Sequence, residues 1–210
     1  MIKIFVADDH SLIREGIKNL ISSESDIKII GESSDPYEVL EQLKKHKPDV
    51  IVLDISMPGK SGLDLLKEIK IQLPEIKVLM MSMLPEEQFA KRTLKAGASG
   101  YITKTSLPEE FIIAIRRVAS GRKYVSQNLA EQLAEDLDEN VEKKPYELLS
   151  DREFQILKMI ASGKSQTDIA DELAISVSTV NTYRSRILEK LKLKSNNELI
   201  RYAFQNNLID

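Results

Sequence analysis

Five times between Ile2 and Val118, a short apolar run is followed by a longer stretch whose apolar residues recur at helical spacing. The short runs are residues 2–7, 27–31, 50–53, 78–81 and 101–102, rich in Ile and Val. The amphipathic stretches are residues 12–21, 39–43, 63–69, 89–94 and 111–118. Runs this short and β-branched are predicted strands buried on both faces, and the stretches between them are predicted helices. Such alternation builds parallel βαβ units, so residues 1–121 are expected to form an α/β doubly wound five-stranded parallel sheet. Sheets of this class bind ligands at the carboxyl ends of their strands.

The pattern then changes. Residues 127–137 are predicted as one more helix, and residues 130–149 hold seven acids against Lys143 and Lys144. The Pro145-containing stretch 140–147 reads as a solvated linker. Beyond Leu149 no strand candidate remains. Ser150/Glu153, Ser165/Asp168 and Ser195/Glu198 have the spacing of helix capping boxes, and Ser176 opens a further helix. The expected organisation is a domain over 1–121, a helix plus acidic linker over 122–148, and an all-α four-helix domain over 149–210.

Composition narrows the chemistry. The chain has no cysteine and only two histidines, His10 and His46. Thiolate metal sites and cysteine nucleophiles are thereby excluded, and Ser–His hydrolysis is disfavoured. No apolar run approaches the roughly 18 residues of a membrane span, and no signal-peptide core follows Met1. The expectation is a cytoplasmic protein with no membrane partner. The net charge of −3 divides into +1 for residues 1–128, −5 for 129–149 and +1 for 150–210. The acidity therefore belongs to the linker and does not argue against a polyanion partner.

Asp8 and Asp9 end the first predicted strand, Asp54 the third and Ser82 the fourth, and the fifth leads to Lys104. On a parallel sheet these ends lie on one rim. Crowded carboxylates are unfavourable unless compensated, and a hard divalent cation such as Mg²⁺ compensates them. A carboxylate nucleophile, a metal, a hydroxyl and an ammonium together suit a phosphoryl group. Singly, an acid at a strand end is more often a loop residue or a helix cap. The coincidence of five such groups is what points to a site.

Ala7-Asp8-Asp9-His10-Ser11-Leu12-Ile13-Arg14, Leu53-Asp54-Ile55-Ser56-Met57-Pro58-Gly59 and Gly100-Tyr101-Ile102-Thr103-Lys104 resemble the receiver domain of bacterial response regulators over roughly residues 1–120. The resemblance implies a CheY-like receiver in which Asp54 accepts phosphate from a histidine kinase. It implies Mg²⁺ bound by Asp8, Asp9, Asp54 and the Ser56 carbonyl, and a phosphoryl group contacted by Ser82 and Lys104. Tyr101 would be the aromatic that changes rotamer on activation, although plain packing explains it equally well. His10 reads as a loop residue. Thr105 stands where receivers often carry proline, and a cis bond before it would cost about 3 kcal/mol.

In the second half, residues 166–173, a turn at 174–176 and residues 177–191 read as helix–turn–helix. Val180, Ile187, Leu188 and Leu191 share the core side of the second helix. Thr182, Ser185, Arg186 and Glu189 point away from it, with Asn181 on the flank. Such a face suits base edges in a major groove, and Ser178 and Thr179 in the first turn suit phosphate. Lys190 adds charge, and Arg184 leans toward the core, so a backbone phosphate suits it better than a base.

Leu149-Ser150-Asp151-Arg152-Glu153, Gly163-Lys164-Ser165, Asp168-Ile169-Ala170 and Thr179-Val180-Asn181-Thr182-Tyr183-Arg184 resemble the LuxR-type DNA-binding domain. Joined to a receiver, they make the chain similar to NarL/FixJ-type response regulators. This implies a phosphorylation-controlled homodimer on double-stranded promoter DNA, with the kinase and RNA polymerase as further partners, and no catalysis beyond self-phosphotransfer and slow autodephosphorylation. Two other classes compete. A phosphatase of the haloacid dehalogenase type needs a second acid two residues after the nucleophile, where this chain has Ser56. A phosphorylation-independent interaction protein would not need the intact Asp8, Asp9, Asp54, Ser82 and Lys104 set.

Overall fold

The computed structural model describes residues 1–83, 86–131, 145–206 and 208–209. Five parallel strands, β1 (Ile2–Ala7), β2 (Ile27–Ser33), β3 (Val50–Asp54), β4 (Lys77–Ser82) and β5 (Gly100–Thr103), form one sheet in the order β2-β1-β3-β4-β5. Helices α1 (Ser11–Ser22), α2 (Val39–His46), α3 (Gly62–Gln72), α4 (Glu86–Lys95) and α5 (Pro108–Ala119) alternate with them. The doubly wound parallel sheet is therefore as expected. Every residue of β3 is buried, and Ile4, Val6, Val50, Val52, Leu79 and Ile102 join Ile17, Ile21, Phe111 and Ile115 in one apolar cluster.

One expectation fails at β2. Its Lys28 and Glu32 are exposed and its Ile29 and Ile30 only half-buried, because β2 is an edge strand paired on one side only. Its register against β1 also shifts between Ile4 and Phe5. The alternative for the Lys104–Thr105 bond is also resolved, since no cis peptide bond occurs among the described residues.

Contacts divide the chain into Met1–Asp138 and Glu139–Asp210. Residues 127–131 are helical, as expected; the rest of that predicted helix and most of the acidic linker lie outside the described residues. In the second unit a 3₁₀ turn (Pro145–Leu148) precedes α6 (Asp151–Ala161), α7 (Gln166–Glu172), α8 (Val177–Leu191) and α9 (Asn196–Gln205). Within the stretch read as solvated linker, Pro145 is exposed but Tyr146 is half-buried. The Tyr146 ring lies 5.9 Å from that of Phe154, and its amide donates to the Tyr202 hydroxyl at 3.1 Å. An aromatic ring beside a buried one gains from packing while its polar groups keep hydrogen-bond partners.

The capping boxes at Ser150/Glu153 and Ser165/Asp168 are complete. At Ser195 only half of the box forms. The hydroxyl accepts from the Glu198 amide, but the Glu198 carboxylate takes the Lys194 N–H at 2.7 Å, one residue upstream.

Candidate functional site

Parallel pairing puts the carboxyl ends of β1, β3, β4 and β5 on one rim. Asp8 follows β1, Asp54 closes β3 and Ser82 closes β4, and all three are fully buried. Lys104 follows β5, its amide donating to the Ser82 carbonyl at 2.7 Å. Its ammonium lies 2.8 Å from Asp8 Oδ2 and 3.0 Å from Asp54 Oδ2, donating a well-formed hydrogen bond to the latter. The Ser56 amide donates to Asp54 Oδ1 at 3.1 Å, fixing the carboxylate's other oxygen.

One buried cation thus faces two buried carboxylates. Burial pushes the Asp54 carboxyl above its ordinary value; Lys104 pulls it back, and Asp8 adds to the upward push. Burial also acts to lower the Lys104 ammonium, but Asp54 and Asp8 outweigh it and hold that group above its ordinary value. Asp8 Oδ2, despite its nearness to Lys104, accepts no hydrogen bond of good geometry, and neither does the buried Asp9 Oδ1. Asp8, Asp9, His10 and Asp54 each offer a ligand atom, all within 4.8 Å of one another. An oxygen-rich, under-neutralised pocket of this kind fits Mg²⁺.

Two residues near the pocket carry more than their sequence reading assigned. His10 Nδ1 lies 2.9 Å from Asp9 Oδ1 and 3.2 Å from Asp8 Oδ1. Arg14 donates to the Asp8 carbonyl at 2.8 Å, latching the turn after β1. Both lie within six residues of Asp8 in sequence, which was the available signal. Tyr101 is fully buried.

Gly62 opens α3 directly against the end of β3. A Cβ there would lie 2.0 Å from the Asp54 carbonyl oxygen, so only glycine permits the approach. Gly62→Ala is expected to displace Asp54. Thermal denaturation with a lowered midpoint checks this.

In the second unit, α7 and α8 meet at a tight turn. Ala174 adopts a left-handed conformation (φ 49°), and the Ile175 amide returns to the Ala170 carbonyl at 2.9 Å. Buried Ala170 lets the helices approach. Arg152, not singled out from sequence, donates to Gln155 Oε1 at 2.9 Å and to the Leu173 carbonyl at 3.1 Å, tying α6 to the end of α7.

On α8, Val180, Ile187 and Leu191 are buried and Leu188 is half-buried. Ser178, Asn181, Thr182, Ser185 and Arg186 are exposed together, with Thr179 half-buried at the first turn. Ser176 Oγ lies 2.8 Å from the hydroxyl oxygens of both Ser178 and Thr179. Two predicted contacts are drawn elsewhere. Arg184 donates to Asn196 Oδ1 at 2.6 Å, and Lys190 donates to Glu153 Oε2 at 2.6 Å. Burial raises the Glu153 carboxyl, but Lys190 and the Ser150 amide outweigh it and hold the group below its ordinary value.

Comparison with known proteins agrees with both halves. The response regulator receiver domain matches residues 4–116, and the luxR family of bacterial regulatory proteins matches residues 147–203. The response regulator GacA of Pseudomonas syringae pv. syringae is 39% identical over 211 residues, covering 100% of this chain and 99% of its own. The oxygen regulatory protein NreC of Staphylococcus epidermidis is 38% identical over 216 residues, covering 99% of each. RcsB of Salmonella enterica serovar Typhimurium, solved bound to promoter rprA in the presence of phosphomimetic BeF3−, aligns over 96% of this chain and 98% of its own. Its TM-score of 0.66 at 23% identity speaks for the fold. With a five-stranded receiver sheet followed by a LuxR-type helix–turn–helix unit, the chain belongs to the NarL/FixJ-type two-component response regulators, which bind DNA and regulate transcription.

Proposed function

We propose that Asp54 is the phosphoacceptor and that its modification controls promoter binding. A carboxylate oxygen of Asp54 attacks the phosphorus of a phosphohistidine on the partner kinase. The P–N bond breaks, the imidazole leaves, and an acyl phosphate remains. Asp8, Asp9, Asp54 and the Ser56 carbonyl would hold Mg²⁺, which supplies positive charge against the phosphoryl oxygens. Lys104 and Ser82 contact the group directly. The observation that carries this reading is the Lys104 ammonium held between Asp8 and Asp54 on the rim, with Ser82 on the adjoining strand end.

The chain acts as a regulator and not as a turnover enzyme. Its own chemistry is limited to taking the phosphoryl group and slowly losing it to water. Modification draws Ser82 and Lys104 toward the new group and alters the packing of Tyr101, a local electrostatic event biasing a two-state element. The active form is a homodimer on double-stranded promoter DNA, with two α8 helices in major grooves about one turn (~34 Å) apart. Ser178 and Thr179 hold phosphate, while Asn181, Thr182, Ser185 and Arg186 face bases. Arg184 and Lys190 reach the backbone only by giving up Asn196 and Glu153. The protein works in the cytoplasm beside RNA polymerase; among the described residues no helix is long and apolar enough to cross a membrane.

Incubation with acetyl phosphate and Mg²⁺ tests the acceptor. Intact-mass spectrometry is expected to show one added phosphoryl group on the wild type and none on Asp54→Asn. Equal labelling of the two proteins would overturn the assignment.

A further inference from the structure

The ring of His10 is oriented by the backbone next to it. His10 is the N-cap of α1, in an extended conformation (φ −80°, ψ 109°), yet its side chain caps nothing. Its amide instead donates to Asp8 Oδ1 at 2.8 Å, which turns the residue back over the carboxylates. Nδ1 then stands 2.9 Å from Asp9 Oδ1 and 3.2 Å from Asp8 Oδ1. Neighbouring ligands of an octahedral ion with bonds of about 2.1 Å are separated by roughly 3 Å. The nitrogen therefore sits at ligand spacing from two acids of the pocket. Asp8 Oδ2 lies 2.8 Å from the Lys104 ammonium and Asp9 Oδ1 faces the His10 ring, and neither oxygen accepts a hydrogen bond of good geometry.

We propose that His10 supplies an imidazole nitrogen to the divalent-cation site, which shifts its preference from Mg²⁺ toward first-row transition ions, for which Mn²⁺ serves as the spectroscopic probe. This rests on the reading that Asp8, Asp9 and Asp54 hold a divalent cation. Carboxylate and water ligands serve Mg²⁺ and Mn²⁺ alike, whereas an imidazole nitrogen favours the transition ion. The ring is well placed to join a metal because core packing does not hold it; its side chain is 60% exposed.

The test uses the full chain with Mn²⁺ and Mg²⁺ as the probes. Electron spin-echo spectroscopy of the Mn²⁺-loaded wild type is expected to show modulation from a directly bound nitrogen-14, absent in His10→Ala. Loss of the free-Mn²⁺ resonance during titration, repeated with competing Mg²⁺, measures preference. His10→Ala is expected to reduce the Mn²⁺-over-Mg²⁺ preference by roughly tenfold, or about 1.4 kcal/mol, with both ions still bound. Circular dichroism confirms that the variant is folded. Bound Mn²⁺ without nitrogen modulation, or an unchanged preference in His10→Ala, overturns the proposal and leaves the Mg²⁺ reading standing. Wild type that takes up neither ion overturns both.

Discussion

Lys104→Met should destabilise the sheet domain by about 3–5 kcal/mol at neutral pH in the absence of divalent ions, the usual cost of removing one partner from a buried ion pair. Methionine keeps an unbranched apolar stem, one atom shorter, but leaves Asp8 and Asp54 buried with no cation. The sign of the pH dependence follows from Asp54. Its carboxyl already lies above its ordinary value in the folded wild type, pushed there first by burial. Without Lys104 that upward shift grows. A carboxyl raised on folding contributes stability that is fully present below its unfolded value and is lost as pH rises through its folded value. The variant's deficit should therefore widen from mildly acidic to neutral pH, and Mg²⁺ should relieve it. Urea unfolding followed by circular dichroism, with and without Mg²⁺, measures both effects. A midpoint equal to wild type would show that Lys104 does not neutralise the pair.

The second large effect concerns DNA. Asn181→Ala should weaken binding to the specific promoter site by about 5–150-fold, corresponding to the roughly 1–3 kcal/mol of a bidentate base contact. Binding to unrelated duplex should hardly change. Asn181 is exposed on α8, so truncation leaves no cavity and no buried group without a partner. Lys190→Ala gives the contrast. Its amine is held by Glu153, and its loss should mainly lower the stability of the helical unit, with little change in the salt slope of binding. Fluorescence anisotropy on specific and scrambled duplexes, at several salt concentrations, separates a base contact from a phosphate contact. Equal losses on both duplexes for Asn181→Ala would exclude base reading by that residue.

The sheet and its rim were legible because they follow from order along the chain. Strand–helix alternation dictates parallel pairing, and parallel pairing puts strand ends together wherever they fall in sequence. Alternation does not reveal which strand sits at the edge, so β2 was expected to be buried on both faces. Its Lys28 and Glu32 were the available sign. Contacts set by side-chain reach were illegible for the same reason. Lys190 and Glu153 lie 37 residues apart, and Arg152 and Leu173 lie 21 apart, with no periodicity to connect them. His10 is a different case. It looked like a loop residue because a lone histidine usually is one; only the turn of its backbone amide toward Asp8 brings the ring over the acids.

That phosphorylation of Asp54 switches promoter recognition is tested most directly by a genome-wide DNA-binding footprint of the full chain, with and without acetyl phosphate and Mg²⁺, beside Asp54→Asn under the same conditions. Wild type should protect a set of imperfect palindromes with phosphodonor and protect them far more weakly without it, and Asp54→Asn should remain at the weaker level in both. An Asp54→Asn protein that occupies those sites as tightly as phosphorylated wild type would contradict the switch.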